Sequence, residues 1–170
     1  LIEHQQNRAM VNVLEVPCRR LILEWEVADV LRDAAVVMTV DFHRPGANNI
    51  LPDDCVPHIV IDHHASEGVA ADLSMVHPEF SATSSLVASL LMQLEFEMTP
   101  RVATALAFGI RTDTLGFTRN FNPVDIRALS WLNAWVDSDM MRSIEEPPRS
   151  IETLDAFSEA LKERKQYGST

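Results

Sequence analysis

Asp62, His63 and His64 stand together directly after the apolar run Ile59-Val60-Ile61. Two further aspartates, Asp41 and Asp113, lie in other segments of the chain. Carboxylates and imidazoles gathered from separate loops are what a divalent cation requires of its ligands. They suit manganese, magnesium or zinc, and the absence of thiolates from the set favours a harder metal. Two cations about 3.5–4 Å apart, bridged by a carboxylate, form the usual arrangement for hydrolysing phosphate esters, because they acidify a water and neutralise phosphate charge. Taken singly, each residue also has an ordinary structural role. Asp41 could cap a turn before Arg44-Pro45-Gly46, His63 and His64 could be a surface pair, and Asp113 could make an Asx-turn between Thr112 and Thr114. Three unrelated caps would not be expected to share one sheet rim, so their convergence favours a site.

The rim follows from the surrounding elements. Residues 35–41 (AVVMTVD) form a continuous apolar run ending in Asp41, a pattern that suits a central parallel strand. Residues 58–62 (HIVID) read as a second short buried strand ending in Asp62, and 73–76 (LSMV) as a third. Between the first two, 42–57 is rich in Pro, Gly, Asn and Asp and reads as loop. Residues 9–16 read as a strand or as the end of a helix running into one, and 17–34 as at least partly helical. Residues 81–96 begin with Ser and Thr and continue with spaced leucines, the pattern of an N-capped amphipathic helix. Thr99-Pro100 opens a third helix, expected to stop near Gly109, just before Asp113. Asn122-Pro123 opens a fourth, with Ile126, Leu129, Leu132 and Val136 on one stripe. Residues 145–150 break the pattern, and 151–166 read as a mostly polar helix, a linker or half an interface. Strands alternating with helices predict an α/β fold with a parallel β-sheet flanked by helices, in which ligands bind outside the carboxyl ends of the strands.

Composition narrows the function classes. With 170 residues, 46% of them hydrophobic, the chain can bury a core of its own. No apolar run approaches the roughly 20 residues that span a bilayer, and residues 1–14 do not read as a secretory leader. Cys18 and Cys55 have no metal-type spacing and read as two reduced thiols, which suits a cytoplasmic protein. The net charge of −11 argues against a broad basic face for long duplex nucleic acid, but not against a small phosphate compound held through metal ions. Lys162 and Lys165 are the only lysines, and such an acidic, lysine-poor chain suits concentrated salt.

Four segments together resemble one family. VIDHH (60–64) is similar to the motif that names the DHH phosphoesterases. GIRTDTLGF (109–117) resembles their later motif GI-x-TDTGxF, VDFHRPG (40–46) the aspartate-containing segment before the DHH run, and SATSSLV (81–87) the helix start after it. All four keep the family's order across 35–120. The resemblance implies that Asp41 is a bridging metal ligand and that His63 and Asp113 are direct ligands. Asp62 would touch a metal or orient a histidine, and His64 would face the scissile phosphate as hydrogen-bond donor or proton carrier. Arg44 and Arg111 would contact phosphate oxygens, which a guanidinium fork matches. The implied cofactor is Mn2+ in a two-metal site, with Mg2+ possible, and the acidic composition suggests a halophilic archaeon as source.

The chain also departs from that pattern. The family's first motif, His-x-x-x-Asp-x-Asp, has no match, since His4 is followed by Gln5, Gln6, Asn7 and Arg8. The Gly-rich C-terminal domain has no counterpart either. The expectation is therefore a partial DHH domain over 1–145, lacking the first strand and first metal motif, with 146–170 a linker helix toward a substrate-binding domain. The intact protein would be a manganese-dependent phosphodiesterase or phosphoesterase acting on short oligonucleotides or dinucleotides, and the piece alone would be inactive. An exopolyphosphatase or pyrophosphatase is the enzymatic alternative. A non-catalytic nucleotide-sensing module of a regulatory protein is the other, and a homodimer is compatible with each.

Overall fold

The structure is a computed structural model that describes residues 4–44, 49–66, 68–148 and 151–163. Three parallel strands, β1 (Met38–Val40), β2 (Ile59–Asp62) and β3 (Leu73–Val76), form a sheet in the order β1-β2-β3. Val40 pairs with Ile61 and Asp62 with Val76, so the carboxyl ends of the strands share one rim. Seven helices complete the α/β fold: α1 (Gln5–Val13), α2 (Glu24–Asp33), α3 (Thr83–Gln93), α4 (Pro100–Asp113), α5 (Pro123–Leu132), α6 (Ser138–Glu145) and α7 (Ile151–Lys162).

The core lies mainly among helices. Ala82, Ala88, Ala103, Ala107, Phe108, Ile110, Ala128, Leu132 and Ile144 form one buried cluster. α3 packs on β2 and is covered by α4 and α5, while α1 packs against α6. The many alanines let these helices approach closely: α4 packs on α3, α3 packs on β2, and Asp113 at the end of α4 comes to line a cavity with Asp41 and His63. α5 buries Ala128 and Leu132, but Ile126 of the expected stripe is exposed. α6 had no sequence expectation; Asp137 caps it by accepting from the N–H groups of Asp139 and Met140.

Several local expectations change in the folded chain. Residues 5–13 are helical, so of the two readings for 9–16 the helix end holds and the strand does not. Met10 and Val13 pack against the buried cluster from that helix, and this tertiary contact outweighs the β preference of Val11 and Val13. β1 is an edge strand among the described residues, not a central one. Thr39 is buried, but Met38 is 51% and Val40 46% exposed. Both line an apolar cavity of about 900 Å³ beside α1, α3 and α4, and no described strand pairs with that edge. α3 is not capped by Ser or Thr; Ala82 holds the cap position without a side-chain bond. α4 does begin as expected, with Thr99 accepting from Val102 N–H, but it runs on through Gly109 to Asp113. Gly109 survives inside the helix because Ser84 of α3 lies where its Cβ would be. α7 leaves Leu154, Phe157 and Leu161 exposed.

Candidate metal centre

β1 delivers Asp41 to the rim. Its N–H continues the parallel ladder to Ile61 O at 3.0 Å, after which the backbone turns left-handed (φ 70). Aspartate tolerates that conformation better than most residues. Thr83, in the first turn of α3, donates its hydroxyl to Asp41 Oδ1 at 2.7 Å. The hydroxyl that composition assigned to capping the helix instead orients a carboxylate.

β2 delivers the other half. His63 Nδ1 lies 3.2 Å from the carbonyl of Phe80, which can only accept, so Nδ1 carries the proton. In the neutral ring that leaves the lone pair on Nε2, which lies 3.6 Å from Asp41 Oδ1, the tautomer a metal ligand needs. His64 stacks obliquely on His63, with ring centroids 4.4 Å apart, and its Nδ1 donates to Asp62 Oδ1 at 2.7 Å. One ligand atom from each of Asp41, His63 and His64 lies within 4.8 Å of the others.

Asp62 is wholly buried and faces its own neighbours. Oδ1 accepts from the backbone N–H of His63 (2.7 Å) and of His64 (3.2 Å) as well as from the His64 ring, and Oδ2 accepts from His43 Nδ1 at 2.5 Å. Burial pushes this carboxyl up, but the hydrogen bonds from His43 and His64 outweigh it and hold it below its ordinary value. Asp62 is outside the metal-compatible triad, and its side-chain hydrogen bonds go to His43, His63 and His64. The His64 ring is pushed up, first by its bond to Asp62, with burial opposing and the charges of Asp62, Asp41 and Asp113 adding to the rise.

Asp113, the last residue of α4, lines the same cavity of about 530 Å³ as Asp41, His63 and His64, without joining the triad. Burial and the nearby Asp41 charge raise its carboxyl, while His63 and His64 pull it down. Such a group gains most from a cation between the two aspartates. The loop holding the Phe80 carbonyl is itself fixed from α5: buried Asp125 accepts from Ser81 N–H and Asn122 N–H, and the Asn122 amide donates to Glu79 O.

The two arginines diverge. Arg44 lines a separate polar hollow with His43, Ala65, Ser66 and Gly68. Arg111 is not brought to the cavity; it pairs with Glu145 of α6 at 2.9 Å. Two positions spaced along α4 face different directions, so Arg111 and Asp113 part company. Arg119 and Asn120 do line the cavity and had no sequence expectation. Nor did His43, whose only sequence signal was its place beside Arg44. Contacts set by tertiary folding left no mark at those positions.

A family model described as the DHH family, N-terminal domain, matches residues 5–110. The chain belongs to the DHH family. It is 31% identical over 166 residues to an uncharacterized protein of Methanocaldococcus jannaschii, covering 96% of this chain and 33% of that protein. It is 38% identical over 58 residues to an uncharacterized protein of Mycoplasma pneumoniae, 34% of this chain and 18% of that one. Among solved structures, an exopolyphosphatase-related protein from Bacteroides fragilis matches with a TM-score of 0.63 and 25% identity, over 84% of this chain and 45% of that chain. This DHH chain thus spans about a third of its archaeal relative. Among the described residues no helix is long and apolar enough to cross a membrane.

Proposed function

We propose that this DHH chain is part of a divalent-metal-dependent phosphoesterase that hydrolyses phosphodiester bonds of short oligonucleotides or dinucleotides. The observation that carries the reading is the His63 tautomer: its Nδ1 proton is tied to a backbone carbonyl and its Nε2 faces Asp41. Asp41 and His63, with Asp113 across the cavity, would hold the metal, and Mn2+ suits this carboxylate–imidazole set, with Mg2+ the harder alternative. When bound, the metal supplies an acidified water and positive charge against the phosphate. Asp62 holds the His64 ring by Nδ1, and His64 then serves either as a third ligand or as donor to the leaving oxygen. Arg119, from the cavity wall, and Arg44, from the neighbouring hollow, would meet phosphate oxygens. Residues 1–145 form the partial DHH unit and 146–170 the connection to a substrate-binding domain of the longer, cytoplasmic parent, which is compatible with a homodimer.

The name of the Bacteroides protein supports a second reading, a phosphohydrolase of exopolyphosphatase or pyrophosphatase type. The presence of only two lysines, both near residue 165, supplies little charge for a phosphate chain. The deciding experiment assays the full-length parent with Mn2+ against pApA, pyrophosphate and inorganic polyphosphate, with and without Asp41→Ala and His63→Ala. Cleavage of pApA that both substitutions abolish is the expected result. Preference for polyphosphate selects the second reading, and equal rates in the variants sink the site.

A further inference from the structure

Asp62 is held on both sides, and only one side is explained by the centre itself. Its Oδ1 takes three donors from His63 and His64. Its Oδ2 takes one, the ring of His43, from a different loop nineteen positions away. The side chain of His43 is nearly buried, at 12% exposure, and Asp62 has none. A carboxylate accepts only, so His43 must present Nδ1–H.

We propose that His43 is a positioning residue of the metal centre: it fills Oδ2 of Asp62 and thereby fixes the carboxylate plane, which in turn fixes the His64 ring. The inference rests on the metal-centre reading above. Without the His43 donor, Oδ2 becomes a buried oxygen with no partner. The carboxylate then rotates about its terminal torsion or takes up a proton, and either event disturbs the bond from Oδ1 to His64 Nδ1. The position of His43 is no accident of a mobile surface. The Asp41 N–H is bound to Ile61 O, so the chain leaves β1 beside the end of β2, and two residues later the imidazole meets Asp62. On its other side His43 borders the polar hollow that contains Arg44, so the His43–Asp62–His64 series spans from that hollow to the metal cavity.

The test compares His43→Leu, which has no donor, with His43→Asn, whose amide nitrogen can replace Nδ1. Thermal melting establishes that each variant is folded. In the 170-residue chain, proton NMR follows the hydrogen-bonded ring N–H of His64, assigned by its loss in His64→Gln. In the full-length parent with Mn2+, kcat and KM are measured for pApA. Positioning predicts that His43→Leu loses or broadens the His64 resonance and lowers kcat roughly 10–100-fold, with KM little changed, and that His43→Asn recovers most of both. Retention of the resonance and of kcat in a folded His43→Leu overturns the proposal. Should His43→Leu fail to fold, His43→Asn decides alone: a folded variant that loses the resonance despite its donor overturns the proposal, and one that keeps it supports it. A parent with no Mn2+-dependent hydrolysis would sink the functional reading, while the NMR comparison would still judge His43.

Discussion

Thr83 Oγ1 donates to Asp41 Oδ1 at 2.7 Å, linking the first turn of α3 to the carboxyl end of β1 across 42 positions of sequence. The bond fixes one oxygen of a carboxylate that is otherwise more than half exposed. Thr83→Val keeps the shape and deletes the donor. We expect it to weaken Mn2+ binding roughly 10-fold or more, the usual cost of losing a group that orients a ligand, with a small change in melting temperature. Calorimetric titration of the chain with Mn2+ measures this; an unchanged affinity would show that Asp41 needs no such support.

The Asp62–His64 pair gives the metal-free chain a pH signature. The Asp62 carboxyl lies below its ordinary value, so its contribution is present above the ordinary aspartate range and is lost as pH falls through the lowered one. The His64 ring lies above its ordinary value, so its contribution is present below the ordinary histidine range and is lost as pH rises through the elevated one. Both hold between about pH 4 and 6.5. The half-exposed His64 ring is screened by solvent, which keeps its share small. Melting temperature against pH should therefore decline gently on the alkaline side, and His64→Gln should flatten that limb. Identical limbs in both proteins would refute the coupling.

Gly109 makes α4 sensitive to a single methyl group. Alanine there gains about 1 kcal/mol of helix propensity, but its Cβ overlaps Ser84 Oγ, and overpacking costs about 1–3 kcal/mol. Gly109→Ala should lower stability by roughly 1 kcal/mol in urea titration and weaken Mn2+ binding, because Asp113 stands one turn further on. Adding Ser84→Gly should restore both, a coupling that a double-mutant cycle isolates.

Arg119 and Arg111 should separate in kinetics. Arg119 lines the metal cavity, whereas Arg111 is occupied by Glu145. Arg119→Ala should raise KM for pApA roughly 10-fold, as expected for a lost charged hydrogen bond of about 1.5 kcal/mol, with Mn2+ affinity unchanged. Arg111→Ala should instead act on stability, by less than about 1 kcal/mol, since its ion pair is largely solvated. The reverse pattern would return Arg111 to the phosphate.

The strands, the Thr99-Pro100 and Asn122-Pro123 helix starts and the aspartates at the strand ends were all legible from the sequence. Apolar runs and cap chemistry act between near neighbours, so composition over a few positions records them. For the same reason Asp41, His63 and Asp113 could be nominated without coordinates. What those residues do to one another was decided by tertiary structure. His63 takes its tautomer from Phe80, Asp41 its orientation from Thr83 and Asp62 its second partner from His43, over separations of 17, 42 and 19 positions. Hydrogen-bond geometry at such distances depends on how α3 and α4 pack on a three-stranded sheet. No local pattern encodes that packing, which is why a threonine expected to cap a helix bonds to the Asp41 carboxylate and an arginine expected at phosphate pairs with Glu145 of another helix.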